Sequence, residues 1–207
     1  MIRTIFSEVR KSVRGPAIFI DRDGVINERR PGDYVLNWSQ FAFVPGIRAA
    51  LKQLASLRLP MIVISNQAAI GKGLLDAGGL EEITAQMSQA LLADGTKLTA
   101  AYFCPHKPSD NCVCRKPKPA LLLSAAEDFN IDLNQSIFIG DSETDVLAAR
   151  AAGCTPVLFG TGLRNHSDSM DWTVGVATAP TGDELFEVAA KYLKVETRVR
   201  RGDRTVQ

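Results

Sequence analysis

Short apolar runs alternate along this chain with longer stretches of helical periodicity, and this alternation constrains the fold more than any other feature. Runs of this length between turn-forming residues predict buried strands. The predicted strands cover residues 17–20, 61–64, 100–103, 137–139 and 156–159, with a sixth, more polar one near 173–177. The predicted helices cover residues 46–57, 80–92, 119–129, 142–152 and 183–192. Strands that alternate with helices imply βαβ units and a mainly parallel sheet.

The predicted fold class is therefore α/β, a Rossmann-like three-layer sandwich around a mainly parallel central sheet. A chain of 207 residues with 45% hydrophobic content fits one domain with a core of its own. We expect an N-terminal extension at residues 1–16, the main domain at 17–194, and a basic, disordered tail at 195–207. Apolar residues near helical spacing in the extension predict a short N-terminal helix.

One segment, residues 27–43, is too long for a tight turn between its flanking elements. It carries four aromatic residues, Tyr34, Trp38, Phe41 and Phe43. We expect it to fold over the edge of the sheet as a hairpin-like flap.

Charge and hydropathy argue against several classes of partner. The formal net charge of +1 gives no general reason to expect binding to nucleic acid or to a membrane surface. No apolar stretch approaches the length of a transmembrane helix, and the first residues lack the apolar segment of a secretory signal. We expect a cytoplasmic monomer whose partner is a small molecule.

Reactive side chains recur where the predicted strands end. Asp21 and Asp23 follow the first strand, Ser65 and Asn66 follow the second, and Asp141 follows the strand at 137–139. A pair of cations, Arg115 and Lys116, opens the helix at 119–129. In open α/β sheets ligands bind at the carboxyl ends of the strands, so these groups should meet at one edge.

Phosphoryl transfer needs this set of groups. A carboxylate such as Asp21 can attack phosphorus only if a divalent cation offsets the charge of the phosphate oxygens. Asp21, Asp141 and the backbone carbonyl of Asp23 would supply Mg²⁺ ligands. Lys116 would neutralise phosphate oxygens and Ser65 would hydrogen-bond them. The Asp23 carboxyl is suited to protonate the leaving alkoxide and then to activate water.

A second cluster of ligands lies between residues 104 and 114. Three thiols and an imidazole, Cys104, His106, Cys112 and Cys114, form the usual set of a closed structural zinc site. Such a zinc ion would stabilise the loop that presents Arg115 to the phosphate. Free thiols, a redox-active Cys-x-Cys pair and another thiophilic ion are the alternatives.

These motifs together resemble the haloacid dehalogenase-type phosphatases over roughly residues 17–162. The resemblance rests on four motifs in this order: Asp-x-Asp-Gly after a strand, Ser-Asn after another, a lysine, and Gly-Asp-x-x-x-Asp. The resemblance implies Asp21 as nucleophile and Asp23 as general acid and base. It implies Mg²⁺ at Asp21, Asp23 and Asp141, and phosphate contacts from Ser65, Asn66, Arg115 and Lys116.

Within that family the zinc loop and the Asp-Arg-Asp-Gly-Val-Ile-Asn motif resemble one group without a large cap domain. This group includes heptose 1,7-bisphosphate 7-phosphatases and histidinol-phosphate phosphatases. The five-residue spacer between His106 and Cys112 is familiar from the histidinol branch, whereas Gly24-Val25-Ile26-Asn27 is more typical of the heptose branch. We favour the heptose bisphosphate, with histidinol phosphate or another sugar phosphate as the alternative.

Two interpretations from other functional classes are alternatives to a phosphatase. A signalling receiver also uses a strand-end aspartate, Mg²⁺ and a lysine, but an acid and base such as Asp23 would hasten loss of its phosphoryl group. A zinc-dependent interaction module without catalysis would turn over no phosphoester.

Position 142 departs from the family pattern. Relatives often have a basic residue directly after the aspartate of the last motif, where this chain has Ser142. Arg29 and Arg30, which follow the active-site strand, would compensate by contacting the distal phosphate of a bisphosphate.

Overall fold

The computed structural model describes residues 1–7, 14–30, 33–160 and 172–193. Seven strands form one sheet in the order β1-β4-β3-β2-β5-β6-β7. Their bounds are β1 Ile2–Ile5, β2 Ile18–Ile20, β3 Met61–Asn66, β4 Ala100–Cys104, β5 Ile137–Gly140, β6 Thr155–Phe159 and β7 Ala177–Ala179. All neighbouring pairs are parallel except β1 with β4, which is antiparallel. The prediction of a mainly parallel sheet is confirmed.

Within the described residues, six α-helices connect and cover the strands. Their bounds are α1 Ile47–Ala55, α2 Ala68–Gly71, α3 Ala77–Ala93, α4 Ala120–Phe129, α5 Glu143–Ala152 and α6 Gly182–Leu193. Short 3-10 helices lie at Trp38–Gln40, Pro108–Asp110 and Leu133–Gln135. The sequence pattern predicted every helix except α2, which is only four residues long.

Successive residues of the central strands point into two separate cores. In β2, Ile18 and Ile20 pack with α1, α3 and α6, whereas Phe19 packs with α4 and α5. All three are fully buried, because a strand covered by helices on both faces has no solvent side. The three-layer sandwich predicted from the sequence is therefore confirmed.

The predicted N-terminal helix is wrong for residues 2–5, which form the edge strand β1. Ile2 pairs with Phe103 and Ile5 with Ala100 on β4. Arg3 then reaches Asp128 on α4 through a 2.7 Å ion pair. The backbone groups offered by the edge of β4 outweigh the helical spacing of the apolar residues. The rest of that predicted helix, at 8–13, lies outside the described residues, as does the predicted tail.

The segment at 27–43 forms no hairpin in its described residues. One isolated bridge joins Asn27 to Phe43, and the chain between them contains a 3-10 helix. Trp38 stacks on Phe41 with ring centroids 4.7 Å apart, and Phe43 meets both rings edge-on. The aromatic residues therefore anchor an irregular loop, which we call the flap, to the core.

The predicted strand near 173–177 is displaced towards the C-terminus, where Ala177–Ala179 pairs with β6. Within the described ranges, no helix is long and apolar enough to cross a lipid bilayer.

Candidate active site

The carboxyl ends of β2, β3 and β5 border a cavity of about 580 Å³. Eight side chains that the sequence predicts for the site line it: Asp21, Asp23, Arg29, Arg30, Ser65, Asn66, Arg115 and Lys116. Asp141 lies beside them at the end of β5, where its carboxylate contacts Arg29. The parallel sheet thus brings together groups that are far apart in the sequence.

Gly24 makes the close approach of the first and last motifs possible. Its φ of +93° lies in the left-handed region, where side chains are strained. A Cβ atom added at this position would also overlap the Oδ2 atom of Asp141. Glycine is therefore required here by both backbone conformation and space.

The carboxylate of Asp21 lies at the base of the cavity and is only 5% exposed. Its Oδ1 atom lies 2.9 Å from Lys116 Nζ and accepts a 2.7 Å hydrogen bond from the backbone N–H of Arg22. Burial raises its pKa to about 7, Lys116 opposes this shift, and the negative charges of Asp145 and Asp141 add to it. A divalent cation would remove this penalty by compensating the buried charge.

Lys116 is buried between two carboxylates. Its Nζ atom lies 2.6 Å from Asp145 Oδ1 as well as 2.9 Å from Asp21 Oδ1, and it donates to the carbonyl of Ile64 at 3.0 Å. Burial acts to lower its pKa, but Asp145 and Asp21 outweigh burial and raise it. The ammonium group is therefore charged and fixed in position.

Asp145 holds Lys116 because its other oxygen is fixed by the start of α5. Asp145 Oδ2 accepts from the backbone N–H and the hydroxyl of Ser142 at 3.1 and 2.6 Å. Ser142 and Asp145 form a capping box at this helix terminus. Ser142 therefore caps the helix where relatives often have a basic residue.

Asp23 points to a different set of donors from Asp21. Its carboxylate accepts hydrogen bonds from Arg22, from Asn27 Nδ2 at 3.0 Å and from Gln67 Nε2 at 2.7 Å. Burial acts to raise its pKa, but the Arg22 charge and these hydrogen bonds lower it overall. The two aspartates of the motif therefore have pKa values shifted in opposite directions, upward for Asp21 and downward for Asp23.

Asp141 is a further carboxylate of the site. Its Oδ1 atom forms a 2.7 Å ion pair with Arg29 Nη2 of the flap. Burial raises the pKa of Asp141 to about 6, against the effect of Arg29. Asp21, Asp141 and Asp145 each offer an oxygen within 4.8 Å of the others, which fits the hard-oxygen set that a divalent cation prefers. The structure therefore brings Asp145, the second aspartate of the Gly-Asp-x-x-x-Asp motif, beside Asp21 and Asp141 of the predicted Mg²⁺ site.

The end of β3 connects the cavity with the loop that carries Lys116. Asn66 Nδ2 donates to the Lys116 carbonyl at 3.2 Å, and the Lys116 N–H donates to Asn66 Oδ1 at 3.1 Å. Ser65 is buried, and its hydroxyl accepts from Gln67 Nε2 at 3.1 Å. Asn66 therefore fixes the backbone of the loop relative to the sheet.

The thiol cluster has the dimensions of a tetrahedral metal site. Sγ of Cys104 lies 3.5 Å from that of Cys112, and Sγ of Cys112 lies 3.7 Å from that of Cys114. His106 Nδ1 is 3.6 Å from Cys104 and 3.3 Å from Cys114. Ligands around zinc at ~2.3 Å would lie roughly 3.5–3.8 Å apart. The four residues therefore fit a closed zinc site.

This cluster is joined directly to the cavity. Arg115 Nη1 donates to the His106 carbonyl at 3.3 Å, which positions the guanidinium that lines the cavity. On the other side, Gly71 at the end of α2 donates its N–H to the Pro105 carbonyl at 2.8 Å. A Cβ atom at Gly71 would crowd Pro105 and Lys107, so the loop packs closely on the helix.

Burial raises the pKa of the Cys104 thiol to about 12. A metal cation bound to its sulfur would favour the thiolate instead.

The chain resembles known proteins in both sequence and fold. A family model described as HAD-hydrolase-like matches residues 113–182. The D-glycero-beta-D-manno-heptose-1,7-bisphosphate 7-phosphatase of Helicobacter pylori is 42% identical over 133 residues, 64% of this chain and 76% of that protein. The D-glycero-alpha-D-manno-heptose-1,7-bisphosphate 7-phosphatase of Mycobacterium tuberculosis is 36% identical over 170 residues, 77% of this chain and 90% of that protein. The chain belongs to the haloacid dehalogenase-like hydrolases.

A solved structure supports this membership of the haloacid dehalogenase-like family. The D,D-heptose 1,7-bisphosphate phosphatase of B. bronchiseptica, crystallised with magnesium and phosphate, superposes with a TM-score of 0.73 at 29% identity. The match covers 83% of this chain and 96% of that one. The family resemblance carried by the strand-end motifs is therefore confirmed.

Sequence reasoning missed the residues that surround Asp23 in this haloacid dehalogenase-like site. Arg22, Asn27 and Gln67 are all buried, and all three hydrogen-bond its carboxylate. Their position inside the motifs could have indicated them, because each lies within four residues of an aspartate or serine that the sequence predicts for the site. The flap residues Asp33 and Tyr34 also line the cavity, and only their nearness to the two arginines pointed to them.

Proposed function

We propose that this protein is a Mg²⁺-dependent phosphatase that converts D-glycero-D-manno-heptose 1,7-bisphosphate into the 1-phosphate. The observation that carries the proposal is the buried pair of Asp21 and Lys116 at the base of the cavity, with Asp23 two residues away. The similarity to heptose 1,7-bisphosphate 7-phosphatases from two organisms supports the choice of substrate.

In the first step Asp21 attacks the phosphorus of the 7-phosphate and the bond from phosphorus to the sugar oxygen breaks. Asp23 donates a proton to the departing alkoxide. In the substrate-free site the pKa of Asp23 is lowered. When a phosphate dianion binds beside Asp23, charge repulsion favours the protonated form of its carboxyl. The products of this step are the sugar 1-phosphate and an aspartyl-phosphate on Asp21.

In the second step Asp23 takes a proton from a water molecule, which attacks the phosphorus of the aspartyl-phosphate. Inorganic phosphate leaves and the Asp21 carboxylate is restored. Lys116, Ser65 and Asn66 contact the phosphate oxygens in both steps, since all three line the cavity beside Asp21. Their fixed positions mean that little reorganisation is needed as charge develops.

Mg²⁺ would be held by the carboxylates of Asp21 and Asp141 and by the backbone carbonyl of Asp23. Bound there, it would offset the negative charge of the phosphoryl group and of the nucleophile. Asp145 lies within the same acidic group, but its ion pair with Lys116 and its helix cap give it a positioning role.

Zn²⁺ would be held by Cys104, His106, Cys112 and Cys114. Because four protein ligands close the coordination sphere, this ion would have no open position for water and would not catalyse. Its role would be to hold the loop whose next residue, Arg115, reaches the cavity.

The second phosphate of the substrate would meet the arginines of the flap. Arg29 and Arg30 line the cavity on the flap side, where they compensate for the cation that Ser142 does not provide. Reversing both charges should raise the KM for a bisphosphate much more than that for a monophosphate. Equal effects on the two substrates would contradict this assignment.

The anomer of the sugar is open, because the relative from Helicobacter pylori carries the beta name and the one from Mycobacterium tuberculosis the alpha name. Phosphate release with Mg²⁺ should therefore be measured for both anomers, for histidinol phosphate and for common sugar monophosphates. We expect one heptose bisphosphate anomer to have the highest kcat/KM.

The matched variants for this assay are Asp21→Asn and Asp94→Asn. Asp21→Asn should lower kcat by about 10³-fold or more, because the nucleophile is lost. Asp94 follows α3 as its C-cap and pairs with Arg48 outside the cavity, so its variant controls for loss of a paired carboxylate away from the site. A preference for histidinol phosphate would assign the protein to the histidinol-phosphate phosphatases. No turnover of any substrate would favour a signalling receiver or a zinc-dependent interaction module.

A further inference from the structure

An ion pair joins the flap to Asp141, one of the proposed metal ligands of the active site. Arg29 Nη2 lies 2.7 Å from Asp141 Oδ1, and these residues come from the flap and from the end of β5. The Arg29 side chain is 53% exposed, whereas the Asp141 side chain is 15% exposed. Arg29 is thus the more exposed member of the pair and has the space to change its side-chain conformation.

The same carboxylate cannot serve the arginine and a divalent cation equally well. Asp141 Oδ2 packs against Gly24, and Oδ1 is the atom that contacts Arg29. A guanidinium next to a ligand oxygen also repels a cation bound to that oxygen. Cation binding through Asp141 therefore competes with the Arg29 ion pair.

We propose that Arg29 is an exchangeable counter-ion, paired with Asp141 in the metal-free site and transferred to the second phosphate of the substrate when the cation binds. This inference rests on the proposed Mg²⁺ site. Arg29 lines the cavity, so the exchange needs only a side-chain movement within it. Cation binding then frees the group that recognises the bisphosphate, and the two binding events favour each other.

Arg30 provides a matched control within the flap. It lines the same cavity, but its 3.0 Å ion pair is with Asp33, which is also in the flap and outside the acidic group. An arginine that merely adds positive charge near the cavity would behave like Arg30. An exchangeable counter-ion would not.

The test is the affinity of the full-length protein for Mn²⁺ alone, measured by calorimetry or by electron paramagnetic resonance. We expect Arg29→Gln to tighten Mn²⁺ binding roughly two- to fivefold, the range expected when a partly exposed ion pair is removed. Arg30→Gln should leave the Mn²⁺ affinity near that of the wild type. Arg29→Gln should also raise the KM for the bisphosphate. Arg29→Lys, which keeps the positive charge, should change the Mn²⁺ affinity and the KM less than Arg29→Gln does.

Opposite changes in cation and substrate affinity are the signature of the exchange, because loss of structure would weaken both. Unchanged or weaker Mn²⁺ binding by Arg29→Gln would overturn the exchange, as would an equal tightening in Arg30→Gln. If the wild type bound no Mn²⁺, the proposed metal site itself would be wrong and the exchange with it. These three Mn²⁺ binding results do not depend on which sugar phosphate is the substrate.

Discussion

The two candidate metal sites of this protein are built in opposite ways. The thiol site takes all its ligands from one short segment, Cys104 to Cys114, which begins with the last residue of β4. The acidic site takes Asp21 from the end of β2 and Asp141 from the end of β5, and these strands meet only because the sheet forms. One site is encoded by local spacing and the other by the fold.

This difference predicts which part of the molecule depends on which ion. We expect a segment with four ligands and little apolar material to depend on a bound metal for its order. The ends of the central strands are held by a core that needs no metal, but they carry buried negative charge. Loss of zinc should therefore disturb structure, whereas loss of magnesium should mainly disturb charge.

Among the changes that distinguish the two metal sites, the largest effect should come from Cys112→Ser, which removes one ligand of the thiol site. We expect loss of one zinc ion per chain, a lower melting temperature, and a kcat/KM reduced by about 10- to 100-fold through the misplaced Arg115. Metal analysis, thermal unfolding and phosphate release would check these outcomes. Cys154→Ala is the matched control, because Cys154 is buried elsewhere and should leave zinc content unchanged. Full activity without zinc would show that the two sites are independent.

A smaller effect, confined to the acidic site, is expected from pH. The pKa is raised to about 7 for Asp21 and to about 6 for Asp141, so below these values a cation must displace a proton to bind. Mg²⁺ affinity should therefore fall as pH drops from 8 to 6, by about tenfold from Asp21 alone. Titration calorimetry at several pH values would measure it. An affinity that stays constant over this range would contradict the raised pKa values.

The smallest effect should come from Asn66→Ala, which breaks the connection between the two regions. Asn66 holds the Lys116 backbone through two hydrogen bonds, so its loss should lower kcat/KM by roughly fivefold to tenfold. Combined with Cys112→Ser, the loss should be less than the product of the single effects, because both act on the same loop. If the two losses multiplied instead, the thiol loop would act on the cavity by a route that does not include Asn66.

The same contrast explains how much could be predicted from the sequence. The strand-end aspartates were identifiable because each follows an apolar run, and the order of elements places parallel strand ends at one edge. The thiol ligands were identifiable from spacing alone. Both predictions use features that the chain displays locally.

The failures concern features that depend on a distant partner. Residues 2–5 form a strand because β4 offers a free edge, and four residues are too few to show a period of two. Gln67 directly follows β3, two residues after Ser65, and only the folded structure shows that its amide reaches Asp23. The ion pair of Arg29 with Asp141 likewise joins parts of the chain that no sequence pattern connects.

The most direct test of the account is to trap the phosphoryl group on Asp21. An activated aryl phosphate needs no acid for its leaving group, so Asp23→Asn should react once and then stop, because no base activates water. We predict a burst of one aryl alcohol per active site and a phosphoryl adduct on Asp21, found by mass spectrometry of the protein and its peptides. The adduct should be absent from Asp21→Asn. Steady turnover without an adduct, or an adduct on another residue, would contradict the central claim that Asp21 is the nucleophile.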